Sequence, residues 1–119
     1  MLARNKLPRG NSLKSQVDID ALLHKTGHKL SGDCFLLFWE KSDEFKLAVL
    51  VSSKHGSAAT RNRIKRLFRE AVRNNRDRLS IPLKIAVLPG KKSDLFTYEN
   101  VNAEISRIFE RINAASMAQ

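Results

Sequence analysis

The stretch TRNRIKRLFREAVRNNRDR, Thr60 to Arg78, carries eight Lys or Arg side chains against two acids, Glu70 and Asp77. Groups of this kind at this density do one sort of chemistry well, which is to hold anions. An Arg fork matches two phosphate oxygens at once. Asn62 adds an amide that can bond a sugar hydroxyl together with a phosphate or base edge. The whole chain points the same way, with a net charge of +10 and a pI near 10.3. Its partner is therefore a polyanion, either a nucleic acid or an anionic membrane surface.

Other chemistries lack their residues. His24, His28 and His55 have no Cys or carboxylate at a spacing that completes a zinc set. The glycines occur singly, so no phosphate-cradling loop is present. No Ser/His/Asp or paired-carboxylate arrangement argues for catalysis by the protein itself. Cys34, the single cysteine, sits in the apolar run CFLLFW and reads as a small buried hydrophobe. Trp39 in the same run reads as packing rather than a base platform. His55, beside Lys54, reads equally as an RNA contact or as an exposed loop histidine. No apolar run approaches the roughly 20 residues needed to span a membrane. The basic N-terminus lacks a signal-type apolar segment, and with the lone thiol it suggests a cytosolic, that is cytoplasmic, protein.

Several elements must position the basic stretch. VDIDALLHK suits a short helix, with Ser15 or Asp18 near its start and Thr26-Gly27 as its end, the glycine taking a left-handed conformation. Cys34–Glu40 and Phe45–Ser53 read as strands, the second placing Phe45, Leu47, Val49 and Val51 on one face. Both faces of this sheet look apolar, so one covers helices and the other is a partly exposed apolar surface. Lys54–Ala59 is a loop, Leu83–Leu88 another strand between Pro82 and Pro89, and Thr97 the N-cap of a final amphipathic helix bearing Val101, Ile105, Ile108 and Ile112. The order is helix, two or three strands, helix, strand, helix: one α+β domain.

At roughly 100° per residue, Ile64, Leu67, Phe68, Ala71 and Val72 form one buried stripe, while Asn62, Lys65, Arg66, Arg69 and Arg73 form one polar ridge beside it. The pairs Arg61–Lys65, Lys65–Arg69 and Arg69–Arg73 repel, each costing about 0.2–0.5 kcal/mol when exposed. Burying each large apolar side chain of the stripe contributes about 1.5–3 kcal/mol, an upper figure. The helix forms despite the repulsion, and a polyanion along the ridge would remove it with release of counterions.

Residue order now adds to geometry. TRNRIKRLFREAVR closely resembles the signature helix of the bacterial ribonuclease P protein family, with its Arg-Asn-Arg start, Ile-Lys-Arg-Leu and Arg-Glu. The resemblance extends back through VLVSSKHGSAA, CFLLFW and LKSQVDIDALLHKTG, and forward through IAVLPG to the last helix. It covers about 100 residues, Leu13 to Arg111.

The resemblance implies a four-stranded sheet with three helices, two parallel strands being joined through the basic helix by an uncommon left-handed βαβ crossover as in the ribosomal S5 domain 2-like fold. The basic N-terminus reads as a flexible arm, residues 1–12, ahead of a family-like domain over 13–113, with 114–119 as a disordered tail. The resemblance also implies an RNA-binding subunit that assists a catalytic RNA in removing 5′ leaders from precursor tRNA. On that view the RNA performs the hydrolysis with Mg²⁺, no metal is bound by the protein alone, one protein serves each RNA, and no membrane is involved. Lys54, Arg61, Asn62, Arg63, Lys65, Arg66, Arg69 and, on the same ridge, Arg73 would contact RNA. Ile19, Leu23, Phe35 and Phe38 match positions around a cleft for the single-stranded leader.

The sequence departs from the family pattern in places. Ile19 and Leu23 stand where Phe is common, the paired lysine is reduced to Ser53-Lys54, and the loop asparagine is Ser57. Core packing is the competing reading of Ile19 and Leu23. Phe35 and Phe38 alternate along the strand, so both face the cleft only if the strand twists or bulges. A general RNA-binding module would use the same ridge without a processing role. A membrane-surface role would need an exposed bulky apolar face, which the basic helix lacks once its stripe is buried.

Overall fold

In the structure, a computed structural model describing residues 12–91 and 96–117, Ser15 caps the first helix: its Oγ accepts the Asp18 N–H at 3.3 Å. Helix α1 (Gln16–Ala21) runs into a π-helical turn, Leu22–Thr26. Gly27 ends the turn in an extended conformation, φ −74°, not the left-handed one expected. Glycine is needed there for another reason, because a Cβ would stand 1.9 Å from the Leu22 carbonyl oxygen.

The chain continues as β1 (His28–Ser31), β2 (Phe35–Lys41) and β3 (Lys46–Val49). A 3₁₀ turn (Ser53–His55) leads to α2 (Ala58–Asn75). After a second 3₁₀ turn (Arg76–Arg78) come β4 (Leu83–Pro89) and α3 (Tyr98–Met117). The fold is α+β, a single domain of three helices and a four-stranded sheet ordered β1-β2-β4-β3. Among the four described strands only β3 and β4 pair in parallel, and α2 makes the crossover between them.

The three strands read from sequence are present, although β3 stops at Val49, with the Leu50 N–H still donating to the Val87 carbonyl at 2.8 Å before the chain turns away. Strand β1 was not read. Its four residues, HKLS, include one apolar side chain, Leu30, and its identity comes from antiparallel pairing with β2. Residues 114–117, expected in a disordered tail, continue α3. The expected N-terminal arm lies outside the described residues except for Ser12, which bridges to Leu47 on the edge of β3. Next to it, the Leu13 N–H donates to the Leu47 carbonyl at 2.8 Å.

Two cores flank the sheet. On one face Leu37, Leu47, Ile85 and Val87 pack against Ile64, Phe68 and Val72 of α2 and Ile105, Ile108 and Phe109 of α3. On the other, Leu13, Ile19 and Leu22 bury Ala48 and Ala86, with Leu23, Phe38, Leu50 and Leu88 half-buried around them. The second face, expected to be partly exposed, is thus covered in part by α1.

Phe35 does not line the cleft the resemblance implies for it. It lies on the α2/α3 face, 3% exposed, with its ring edge-on to Phe68 at 5.4 Å. It therefore cannot line a cleft on the α1 face beside Phe38. Alternation in a regular strand, with no bulge between them, sends residues three apart to opposite faces.

Candidate nucleic-acid interface

Helix α2 starts where a series of short caps places it. Ser52 Oγ accepts the Lys54 N–H at 3.3 Å and opens the 3₁₀ turn that presents Lys54 to solvent. Gly56 follows at φ +122° and ψ −154°, a region that side-chain-bearing residues rarely enter. Ser57 then caps α2, its Oγ accepting the Thr60 N–H at 3.2 Å. Ser57 thus performs an N-cap's work.

The helix buries Ile64, Phe68, Ala71 and Val72 as expected, with Leu67 half-buried. Asn75 belongs to the same stripe, which sequence reasoning missed although its angular position on the helix points there. Its Nδ2 donates to the Ala71 carbonyl at 2.8 Å and to Asn102 Oδ1 at 2.7 Å. Its Oδ1 accepts from Arg78 Nε at 2.9 Å. A buried amide with these partners fastens the C-terminal end of α2 to α3.

The eight cations divide into two groups. Arg73 is ion-paired with Glu70 on the same helix. Arg76 lies over the Phe45 ring, 4.6 Å from its centroid, and Arg78 reaches Glu110 at 3.8 Å. Among the described residues no ion pair involves Arg61, Arg63, Lys65, Arg66 or Arg69. Asn62, Arg63, Arg66 and Arg69 are exposed, while Arg61 and Lys65 are half-buried. The unneutralised charge therefore occupies the first three turns of α2.

Lys65 leans over an open groove of about 450 Å³ that it shares with Leu50, Val51, Ser52, His55 and Leu88. Leu50 and Leu88 also border the α1-face cluster that holds Leu23 and Phe38. The basic ridge and the apolar sheet face are thus joined by one surface. Ile19, at 7% exposure, is core rather than cleft lining. Leu23 and Phe38 remain half-buried and reachable, and Phe38 is the one aromatic ring of that cluster among the described residues.

Two further residues take roles the sequence does not announce: His55, which reads there as an RNA contact or an exposed loop histidine, and Glu104, which carries no reading at all. His55 turns inward: its Nδ1 accepts the Ser52 N–H at 3.2 Å and its Nε2 lies 2.9 Å from the Gly90 carbonyl oxygen. Glu104 of α3 is 6% exposed and braces the β1–β2 turn, its Oε1 accepting the Asp33 N–H at 2.6 Å while Arg107 donates to Oε2 at 3.2 Å. Burial, together with Asp33, holds the Glu104 carboxyl above its usual range. Cys34 is buried and its thiol is pushed up to about 11, by burial first and by Glu104 and Asp33 next. It is a packing residue, not a nucleophile. Besides local partners at Ser52 and Arg107, the contacts that fix the roles of His55 and Glu104, Gly90 for the first and Asp33 for the second, lie 35 and 71 residues away, beyond any local pattern.

Among the described residues no helix is long and apolar enough to cross a membrane. No three His, Cys, Asp or Glu side chains among them stand where they could hold a metal ion.

The chain matches known proteins in sequence and in fold. A model of the family described as Ribonuclease P matches residues 7–113. The ribonuclease P protein component of Fusobacterium nucleatum is 31% identical over 107 residues, covering 84% of this chain and 95% of that protein. The RNase P protein of Thermotoga maritima superposes with a TM-score of 0.74 at 26% identity, covering 84% of this chain and 96% of the other. That of Staphylococcus aureus superposes at 0.72 and 24% identity, with 86% and 94% covered, and speaks for the fold alone. With its basic helix set between the two parallel strands and most of its length inside the family model, the chain belongs to the ribonuclease P protein family.

Proposed function

We propose that this chain is the protein subunit of the endoribonuclease ribonuclease P, and that it assists a catalytic RNA subunit in removing the 5′ leader of precursor tRNA. The observation that carries this reading is the set of cations without acidic partners among the described residues, Arg61, Arg63, Lys65, Arg66 and Arg69, joined through Lys65 to a groove bordering the apolar α1 face. Phosphates of the RNA subunit or of the substrate near its cleavage site lie along α2, with Lys54 and Asn62 contributing. Counterion release supplies most of that affinity. The single-stranded leader crosses the sheet face past Leu23 and Phe38, where an unstacked base rests on the aromatic ring.

In this reading the protein contributes positioning and charge, and hydrolysis belongs to the RNA. The described side chains do not offer a ligand set for Mg²⁺, so we assign that ion to the RNA subunit and route no step of the protein's work through it. One protein per RNA, acting in the cytoplasm, completes the proposal. Reconstitution with the RNA subunit from the same genome tests it. Alone, the protein cleaves nothing; together, the two remove leaders faster at low Mg²⁺ than the RNA does unaided. Absence of that stimulation with both components folded overturns the proposal. Equal affinity for many structured RNAs, with no dependence on a leader, would point instead to a general RNA-binding module.

A further inference from the structure

We infer that His55 is a positioning residue for leader recognition, its ring clamping the Lys54 turn and the start of α2 against the ends of β4 and β2. The inference rests on the proposed role in leader processing. Both ring nitrogens are engaged. Nδ1 accepts the Ser52 N–H at 3.2 Å, while Nε2 lies 2.9 Å from the Gly90 carbonyl and 3.2 Å from that of Pro89. A neutral ring with its proton on Nε2 serves all of these partners, accepting at one nitrogen and donating at the other. Gly90 in turn donates its N–H to the Cys34 carbonyl at 2.7 Å, which carries the clamp to the start of β2.

The same ring closes an aromatic series. His55 lies 6.4 Å from Phe96, Phe96 stands edge-on to Phe68 at 5.5 Å, and Phe68 stands edge-on to Phe35 at 5.4 Å. The turn is therefore tied to the sheet by hydrogen bonds and to α2 by ring packing. This matters because the turn carries Lys54, and one glycine and one cap later α2 begins.

Two open grooves meet at His55. One reaches Lys65; the other, about 790 Å³, reaches Asp33, Leu36, Lys54 and Lys91. Leu88 and Ser52 line both. His55 thus stands where a strand leaving the apolar sheet face meets the cations, and small errors in the placement of such contacts are costly to binding. A leucine there would keep the packing against Phe96 and lose both hydrogen bonds.

The test uses holoenzyme reconstituted with the genome's own RNA subunit. His55→Leu is expected to raise KM for leader-bearing precursor tRNA about three- to tenfold, the scale of one or two net hydrogen bonds. The kcat value holds, and binding of leaderless tRNA does not change. His55→Gln, whose amide can still donate to the Gly90 carbonyl, returns KM toward that of the unsubstituted protein. A merely structural role would instead lower the melting temperature and the active fraction, reducing kcat while leaving KM alone. That pattern, or unaltered kinetics in His55→Leu, overturns the inference. Should His55→Leu not fold, His55→Asn replaces it, since Asn can accept from Ser52 but falls short of Gly90: a raised KM supports the inference and an unchanged one overturns it. If the unsubstituted protein fails to stimulate the RNA, the proposed function falls and this inference with it. If it stimulates and the His55 variants match it, this inference alone falls.

Discussion

Phe35 and Phe38 stand three residues apart on β2 and serve opposite faces of the sheet. Phe35 packs edge-on against Phe68 at 5.4 Å in the core beneath α2, and Phe38 borders the α1-side cluster with Leu23, Leu50 and Leu88. Phe38 is thereby the one aromatic ring on the α1-side cluster among the described residues, where Ile19 of α1 and Leu23 of the π-helical turn supply aliphatic side chains.

Exchanging each phenylalanine for alanine should separate the two roles. Phe38→Ala is expected to weaken binding of leader-bearing precursor tRNA by about 1–3 kcal/mol, the worth of one base–aromatic stack, with little change in stability. Phe35→Ala should cost about 3–5 kcal/mol of folding free energy. Titration of the holoenzyme with and without a leader, beside urea denaturation of the protein alone, reads both. A Phe38→Ala protein that binds the leader unchanged would place the leader elsewhere.

Charge on α2 should be read out by salt. Arg66→Ala and Arg69→Ala are each expected to lower the slope of log affinity against log salt by about 0.7–0.9, the contribution of one phosphate contact. Arg73→Ala should change it less, since Glu70 already neutralises that guanidinium. Binding to the RNA subunit across a salt series checks this, and equal slopes in all three variants would contradict the division of the ridge.

Glu104 makes stability depend on pH. Burial is the main cause of its raised pKa, so the folded protein holds the proton more tightly than the unfolded chain does. The resulting stabilisation is complete below the ordinary value of 4.5 and is lost as pH rises through the higher value of the folded state. Glu104→Gln, which can still accept the Asp33 N–H, should flatten the melting temperature over that window. An unaltered pH profile would show that the carboxyl does not titrate as its burial implies.

Gly56 has φ +122° and ψ −154°, where a Cβ is strained even though the nearest atom, Thr60 Cβ, would be 3.4 Å away. Gly56→Ala is therefore expected to destabilise the fold by about 1–3 kcal/mol, measured as a lower urea midpoint. Since this glycine separates the Lys54 turn from the cap of α2, RNA affinity should fall with it.

Helices α2 and α3 were legible because an apolar stripe at helical period persists over several turns in each, with Thr97 a readable N-cap for α3, whereas the cap of α2, Ser57, lay in what reads as a loop. Strands β2 and β4 were legible because both faces of a central strand are apolar. Strand β1 was not, since an exposed edge of four residues carries one apolar side chain and depends on β2 for its form. At the interface, the ridge and its residue types could be read from helical geometry. Which of its arginines remain unneutralised could not, because Arg76 finds Phe45 and Arg78 finds Glu110 across the fold.

By itself the sequence determined that a strongly basic amphipathic helix would present cations beside a core stripe, and its residue order determined the family. Both are local properties, set by the identity of neighbours within a few turns. Tertiary structure alone decided that Phe35 is core while Phe38 borders the α1-side cluster, that Ile19 is buried, and that His55 and Glu104 hold the turns around the grooves. Those outcomes depend on which strands pair, on which face each helix covers, and on contacts 35 and 71 residues apart in the chain, which no local pattern encodes.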